Sequence, residues 1–357
     1  MRLFRCDNCG NPVYFENRSC IKCGCRLGFV PDDIALFALQ PDAVQPERWR
    51  RIDQQQFVYR FCPNAAFDVC NWVIRAESPE TYCQACRYNG LVPDPKTTDG
   101  LRRWRAICDA QRHLFYSFLR WDLPRPGRQE DPQGGLLFDL KDDKILPDGS
   151  CEPVLIGHDE GHIVIRTAEA DDPTREQQRA MMNEPYRTLL GHFRHESGHF
   201  IWNKMVRDAG KTDSFRRLFG DESIDYEQAL VQHYKKGPMR GWGSNYISYY
   251  ATTHPWEDFA ECFAHVLHIV DSLETAHMFG IALAPSDRGG AVVSACADFD
   301  PYSVLDFERI AEVWVPLSMA LNTIHRSMGE RDLYPFVLTP VIKQKLGYVH
   351  GLLTRQI

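Results

Sequence analysis

Residues at two kinds of spacing in this chain can hold a metal ion, and the chemistry they suit is different. His195-Glu196-Ser197-Gly198-His199 sets two imidazoles four residues apart, with a carboxylate directly after the first. On a helix, positions i and i+4 share a face, so both imidazoles can grip one ion with Glu196 beside it. Such a group suits hydrolysis. A bound zinc lowers the pKa of a water, and a neighbouring carboxylate acts as general base, then returns the proton to a leaving amine. Five residues of this kind arise by chance on exposed helices, but here Tyr186, Leu189, Leu190, Phe193, Phe200 and Ile201 flank them at helical spacing. Burying a glutamate and two histidines there without a metal or hydrogen-bond partners would be costly. His192, one turn earlier, is read as a packing residue or one that supports a metal ligand from behind.

A zinc that acts on substrate takes three protein ligands and leaves a fourth position for water. The metzincin pattern is excluded, because Trp202 and Met205 stand where it needs glycine and histidine. The nominated third ligand lies in Trp256-Glu257-Asp258-Phe259-Ala260-Glu261, where Glu257 and Glu261 are one helical turn apart and His265 and His268 continue the stripe. The competing reading is a solvated face. Against it, no Lys or Arg occurs between Arg240 and Arg288, an unusual gap for a helix side turned to water. Glu257 is expected to complete the site and Glu261 to hydrogen-bond a ligand imidazole from behind, with the exchanged roles as the alternative. Glu222, in the turn-like run Gly220 to Asp225, is the competitor.

Charge developing on a carbonyl oxygen needs a preorganised donor, and a phenol supplies one without changing charge. Tyr246, Tyr249 and Tyr250 are the candidates. Tyr250 is the choice, seven residues before Glu257 and just ahead of Thr252-Thr253-His254-Pro255, where a short loop can turn it toward the metal. Core packing and a substrate-stacking surface are the competing readings.

The other spacing belongs to cysteine. Cys6-x-x-Cys9 and Cys20-x-x-Cys23 form two knuckles ten residues apart, which suits a closed tetrahedral zinc site. Cys25 beside them is read as a bystander thiol, with a substitute ligand as the alternative. Cys62, Cys70, Cys83 and Cys86 form a second set with one knuckle and one seven-residue gap. Two structural zincs and one catalytic zinc are therefore expected. With metal as its main folding energy, this region is expected to have little core of its own. Four-cysteine modules often bind nucleic acid, but residues 1–100 hold twelve basic and twelve acidic side chains without a Lys/Arg stripe. Nucleic acid is therefore not expected, and a protein-binding or substrate-presenting role is. Cys108, Cys151, Cys262 and Cys296 are read as buried free thiols.

The elements that must position these residues follow from periodicity and turn signals. Gly90 to Gly100 reads as a linker and Leu101 to Leu119 as a helix; Pro124 to Gly135 is a second connection, followed by strands of which His162 to Thr167 is the clearest. Tyr186 to Val206, with Pro185 tolerated in its first turn, Pro255 to Val270 and Ser303 to Met328 read as helices. The last fifty residues carry no legible motif. A small sheet is expected beside the His195 helix, its strand near Ile163 free to pair with an extended substrate. His158 and His162 are read as surface or packing residues.

The chain resembles the zinc-binding metallopeptidases of bacteria that carry an N-terminal zinc ribbon. The likeness rests on Cys6 to Cys23, Cys70-Asn71-Trp72, Glu169 to Asp172, Glu184 to His199 and His254 to Glu261, and it runs along most of the chain. It implies proteolysis, with a protein or peptide as substrate. Glu257 to Glu261 is also similar to the glutamate helix of lethal-factor-type gluzincins. That likeness implies Glu257 as ligand, Glu261 as its supporting carboxylate, and a tyrosine shortly before the helix.

The chain is thus expected to be α+β, with a double zinc-ribbon module over 1–100 and a zincin-like, mostly helical metallopeptidase domain with a small sheet over 101–357. The alternative is a non-proteolytic scaffold binding protein or nucleic acid through its ribbons, against which an intact Glu196 argues. A net charge of -7 gives no attraction to nucleic acid or anionic membrane. No run of about 18 apolar residues occurs, and Met1 leads into Cys6 without a signal-type stretch. A soluble cytoplasmic protein is expected; the oligomeric state is left open.

Overall fold

Turn residues break the first ninety positions into short runs, and most of those runs pair as strands. The computed structural model describes residues 1–182, 184–237, 240–285 and 293–357. The chain divides into two units, Met1–Arg175 and Glu176–Ile357.

In the first unit, β1 (Phe4–Arg5) and β2 (Pro12–Val13) form a hairpin with Cys6 and Cys9 at its tip. β3 (Arg26–Val30), β4 (Ala35–Pro41), β5 (Trp49–Arg51), β6 (Val58–Phe61) and β7 (Val73–Arg75) form an antiparallel sheet in chain order. Leu27, Phe29, Ala38, Leu39, Tyr59 and Val73 are buried in it. The expectation of a region with little core is therefore corrected. Each fully buried large apolar side chain contributes roughly 1.5–3 kcal/mol, so apolar packing and metal share the stabilisation. Helix α1 (Thr98–Arg120), capped by Thr97 on the Gly100 amide, belongs with this region. Tyr116 packs edge-on against Phe15 at 5.6 Å, Arg112 donates to the Val69 carbonyl, and Arg18 pairs with Asp109 at 3.2 Å. The expected boundary near residue 100 and the contact division thus differ in where they put α1.

β8 (Leu137–Lys141), the short pair β9 (Lys144–Ile145) and β10 (Cys151–Glu152), β11 (Gly157–Asp159) and β12 (His162–Arg166) follow. β12 is central in a three-stranded sheet, antiparallel to β11 and parallel to β8. Both its edges are hydrogen-bonded, so the strand at Ile163 is not free to receive an extended peptide, which corrects that expectation. This sheet belongs to the first unit and the His195 helix to the second. His162 bonds Asp139 at 3.0 Å, and His158 accepts from the Gly161 amide at 2.8 Å.

α2 (Asp172–Met181) runs across the division at residue 175. The second unit then has α3 (Leu189–Trp202), which passes into a π-helical turn, Asn203–Arg207. Its start is set by Thr188, whose side chain accepts from the Gly191 amide. The helix begins at Leu189 rather than Tyr186, and Pro185 lies outside its first turn. α4 (Thr212–Phe219), α5 (Tyr226–Lys236), α6 (Pro255–Phe279), the pair β13 (Ala282–Leu283) and β14 (Ala295–Cys296), α7 (Phe307–Ser327) and α8 (Pro340–Leu353) complete it.

α6 is the central element, with Phe259, Phe263, Val266, Leu267 and Val270 fully buried. α3 crosses it at Gly198, where a Cβ would stand 2.9 Å from the Ala260 Cα; only glycine allows so close a backbone approach. Beside this crossing, Arg194 bonds His268 and Asp271, and Tyr302 donates to Asp271. α8, in the stretch without a motif, buries Ile342, Leu346, Val349 and Leu352. Its Lys345 pairs with Asp258 at 2.6 Å and donates to the Asn245 carbonyl at 2.8 Å. All thirteen cysteines are free thiols; Cys108 and Cys262 are buried as expected, whereas Cys151 and Cys296 are exposed, lying in short surface strands. Among the described residues no helix is long and apolar enough to cross a membrane.

Candidate metal centre

Among the described residues three groups of donor atoms converge: Cys6, Cys9, Cys20 and Cys23; Cys62, Cys70, Cys83 and Cys86; and His195, His199 and Glu257. Sulfurs about 2.3 Å from one tetrahedral zinc stand about 3.8 Å apart. The separations here are 3.6 Å for Cys6–Cys23 and Cys9–Cys20, 3.8 Å for Cys70–Cys83 and 3.9 Å for Cys70–Cys86. They suit zinc and are far too long for disulfides. Cys25 lies outside the first set. The Asn8 side chain holds the Cys23 thiol down at about 6, toward the thiolate that a metal takes. The second set is wholly buried. Burial opposes the charge of Arg112 from α1, but Cys70 and Asp109 hold it above its ordinary pKa; four thiolates around a Zn²⁺ would carry a net negative charge that this guanidinium would offset.

The third group differs in donor type. Its imidazoles come from one face of α3 and its carboxylate from the first turn of α6. Nε2 of His195 stands 2.9 Å, and Nε2 of His199 3.3 Å, from the same oxygen of Glu257, Oε2. Donors about 2.0–2.2 Å from a tetrahedral zinc lie roughly 3.4 Å apart, so this set also fits the ion. Burial opposes ionisation of Glu257, yet His199 and His195 hold its pKa well below the ordinary range. Burial likewise opposes charge on His195, yet Glu257 and Glu261 push its pKa well up. An isolated carboxylate 2% exposed would be costly; here the two imidazoles, or a metal held with them, compensate it.

The two glutamates are distinguished by what they touch. Glu261 Oε1 accepts from Nδ1 of His195 at 2.7 Å, which fixes the tautomer and leaves Nε2 as the donor toward a metal. Burial works against the Glu261 charge, but bonds from His195 and Ser248 keep its pKa below the ordinary value. His199 lies under the Trp256 ring, centroids 3.8 Å apart. His195 is 12% exposed against 4% for His199, so the group is reached from the His195 side.

Of the three tyrosines, Tyr250 approaches the histidines, its ring 5.7 Å from that of His195. It opens the short 3-10 turn Tyr250–Thr252, just before His254 caps α6. Tyr249 stacks on His233 at 4.1 Å, and Tyr246 lies 4.2 Å from the Lys345 ammonium. Burial first, then the charge of Glu257, raises the Tyr250 pKa well above the ordinary phenol value, with Glu196 adding to it. Tyr250 therefore stays a donor, and Glu196, itself buried, lies within electrostatic reach. Glu222 is elsewhere, paired with Arg216 at 2.6 Å. His265 bonds the Tyr334 hydroxyl at 2.9 Å, and burial lowers its pKa to about 4. His192 is not part of the donor set.

Sequence reasoning missed Tyr226, whose hydroxyl donates to Glu257 Oε1 at 2.7 Å. Its pKa is raised by burial and then by the Glu257 charge, so it too remains protonated. The one available signal was Asp225 as a helix cap directly before it, and that signal locates a helix start without locating its partner.

The family model described as "Putative zinc-binding metallo-peptidase" matches residues 100–352, and a zinc-ribbon domain matches residues 3–97. Uncharacterized proteins of Mycobacterium bovis and of two strains of Mycobacterium tuberculosis are each 40% identical over 351 residues, covering 98% of this chain and 94% of the relative. No solved structure matches. With donor sets of zinc type in both matched regions, the chain belongs to this zinc-binding metallo-peptidase family and carries an N-terminal zinc-ribbon domain.

Proposed function

We propose that the chain is a zinc-dependent endopeptidase of the gluzincin type, with His195, His199 and Glu257 as ligands and Glu196 as general base. The observation that carries this reading is the meeting of both Nε2 atoms at one oxygen of Glu257, with a carboxylate and a phenol beside them. Zinc held there lowers the pKa of a water and polarises a carbonyl. Glu196 takes the proton of the attacking water as its oxygen bonds the carbonyl carbon, and delivers it to the amine nitrogen as the C–N bond breaks. Tyr250 donates to the oxygen that gains charge. Glu261 keeps Nε2 of His195 aimed at the metal.

In this reading each chain holds three zinc ions, one catalytic and two structural, and the functional boundary lies near residue 100, between the two matched regions. The ribbons serve substrate recognition; their balanced charge supports a protein or peptide partner rather than nucleic acid. Thirteen cysteines with no disulfide among them, eight of them in zinc-type sets, support a reducing compartment, the cytoplasm. The test is cleavage mapping across a proteome-derived peptide library with the parent and Glu196→Gln. The variant is expected to keep its zinc and lose about 10²–10⁴-fold in turnover. Equal turnover removes the mechanism, and an identical absence of cleavage in both favours a binding scaffold.

A further inference from the structure

Glu257 has two carboxylate oxygens, and each has its own partner. Oε2 faces the two imidazoles, at 2.9 and 3.3 Å. Oε1 accepts from the Tyr226 phenol at 2.7 Å. Tyr226 is the first residue of α5, directly after the Asp225 cap. Its ring packs edge-on against His254 at 5.4 Å and Trp256 at 6.2 Å, and Trp256 lies over His199 at 3.8 Å. The phenol is therefore held by rings that also fix the start of α6 and one ligand imidazole. The Tyr226 phenol also lies within electrostatic reach of Tyr250, the proposed oxyanion donor.

A carboxylate with both oxygens free can bind a metal through one or through both. Binding through both would occupy the position that a hydrolytic centre reserves for water and substrate. We propose that Tyr226 is a positioning residue that restricts Glu257 to one metal-binding oxygen, and so keeps a coordination position open; this rests on the metal-centre reading above. The hydroxyl carries the effect, and the ring serves packing.

The test uses the full chain with its cysteine clusters loaded, comparing the parent, Tyr226→Phe, Tyr250→Phe and His195→Ala. Zn²⁺ is titrated into the remaining site against a chromogenic chelator, and Co²⁺ is added separately for its visible spectrum. Tyr226→Phe is expected to weaken zinc binding about tenfold to a hundredfold. It should also lower the visible Co²⁺ absorbance, as a second oxygen raises the coordination number. Tyr250→Phe is expected to stay near the parent in both readouts, and the metal-free forms to melt together. Parent-like affinity and spectrum in Tyr226→Phe overturn the proposal alone. Equal zinc content in the parent and His195→Ala overturns the metal centre itself, and the proposal with it.

Discussion

The cysteine clusters and the His195–His199–Glu257 group differ in donors, closure and surroundings. Each cluster offers four sulfurs at zinc-like spacing, a saturated tetrahedron with no position for another molecule. The histidine group offers three donors, its first imidazole partly open, with Glu196, Tyr250 and Tyr226 beside it. Ligand count and second neighbours, more than metal identity, separate a staple from a reaction centre. The contrast extends to the supporting structure. The clusters join short strands and turns, whereas the histidine group lies across two helices with extensive buried apolar faces.

Metal removal should break this comparison most visibly. Structural zinc in finger-sized modules contributes about 10–16 kcal/mol of apparent folding energy. Chelation of the clusters is therefore expected to make the knuckle segments protease-sensitive, while loss of the third ion leaves the helical circular dichroism intact. The reverse order, helices melting first with the knuckles still protected, would undo the distinction. Next in size, Glu257→Ala should lower the metal count by one and abolish activity. Glu222→Ala should change neither, because its carboxylate is spent on Arg216; metal analysis of the two variants decides between them. Tyr250→Phe sharpens the comparison from the other side. It should lower turnover on the order of tenfold to a thousandfold with metal content unchanged, and unaltered turnover would move the oxyanion role to another donor.

Acid releases metal from both kinds of site, so the part played by the protein core has to be separated. His350, fully buried in α8, has its pKa lowered to about 4 by burial, against about 6.5 when unfolded. Above pH 6.5 both states are neutral and the histidine costs nothing. Between pH 6.5 and 4 the unfolded chain takes up the proton first, so stability falls by about 3 kcal/mol in all. His350→Gln should flatten that slope in metal-free protein; an unchanged slope assigns the acid sensitivity elsewhere.

The donor residues were legible because local rules place them: four-residue spacing on an apolar helix for His195 and His199, a carboxylate pair one turn apart for Glu257 and Glu261, and knuckles for cysteine. The α+β class and its longest helices followed from periodicity. Tyr226 was not legible, since it meets Glu257 across 31 residues and lies on another helix. Lys345 was hidden for the same reason, 87 residues from Asp258. The five-stranded sheet escaped because its strands are short and the turn residues between them dominate the pattern.

The crossing at Gly198 sets the width of the site. Because backbone meets backbone there, the spacing of the two helix backbones that carry the imidazole pair and Glu257 is fixed by direct contact. A fixed aperture of this kind discriminates by ionic radius: an ion whose bonds match the gap is held, and a larger one must force two packed helices apart. Gly198→Ala would insert a methyl group at 2.9 Å from the Ala260 backbone and act as a wedge. Selectivity between Zn²⁺ and the larger Cd²⁺, measured by competition, should shift toward cadmium; an unchanged ratio would mean that the jaws are softer than the packing implies.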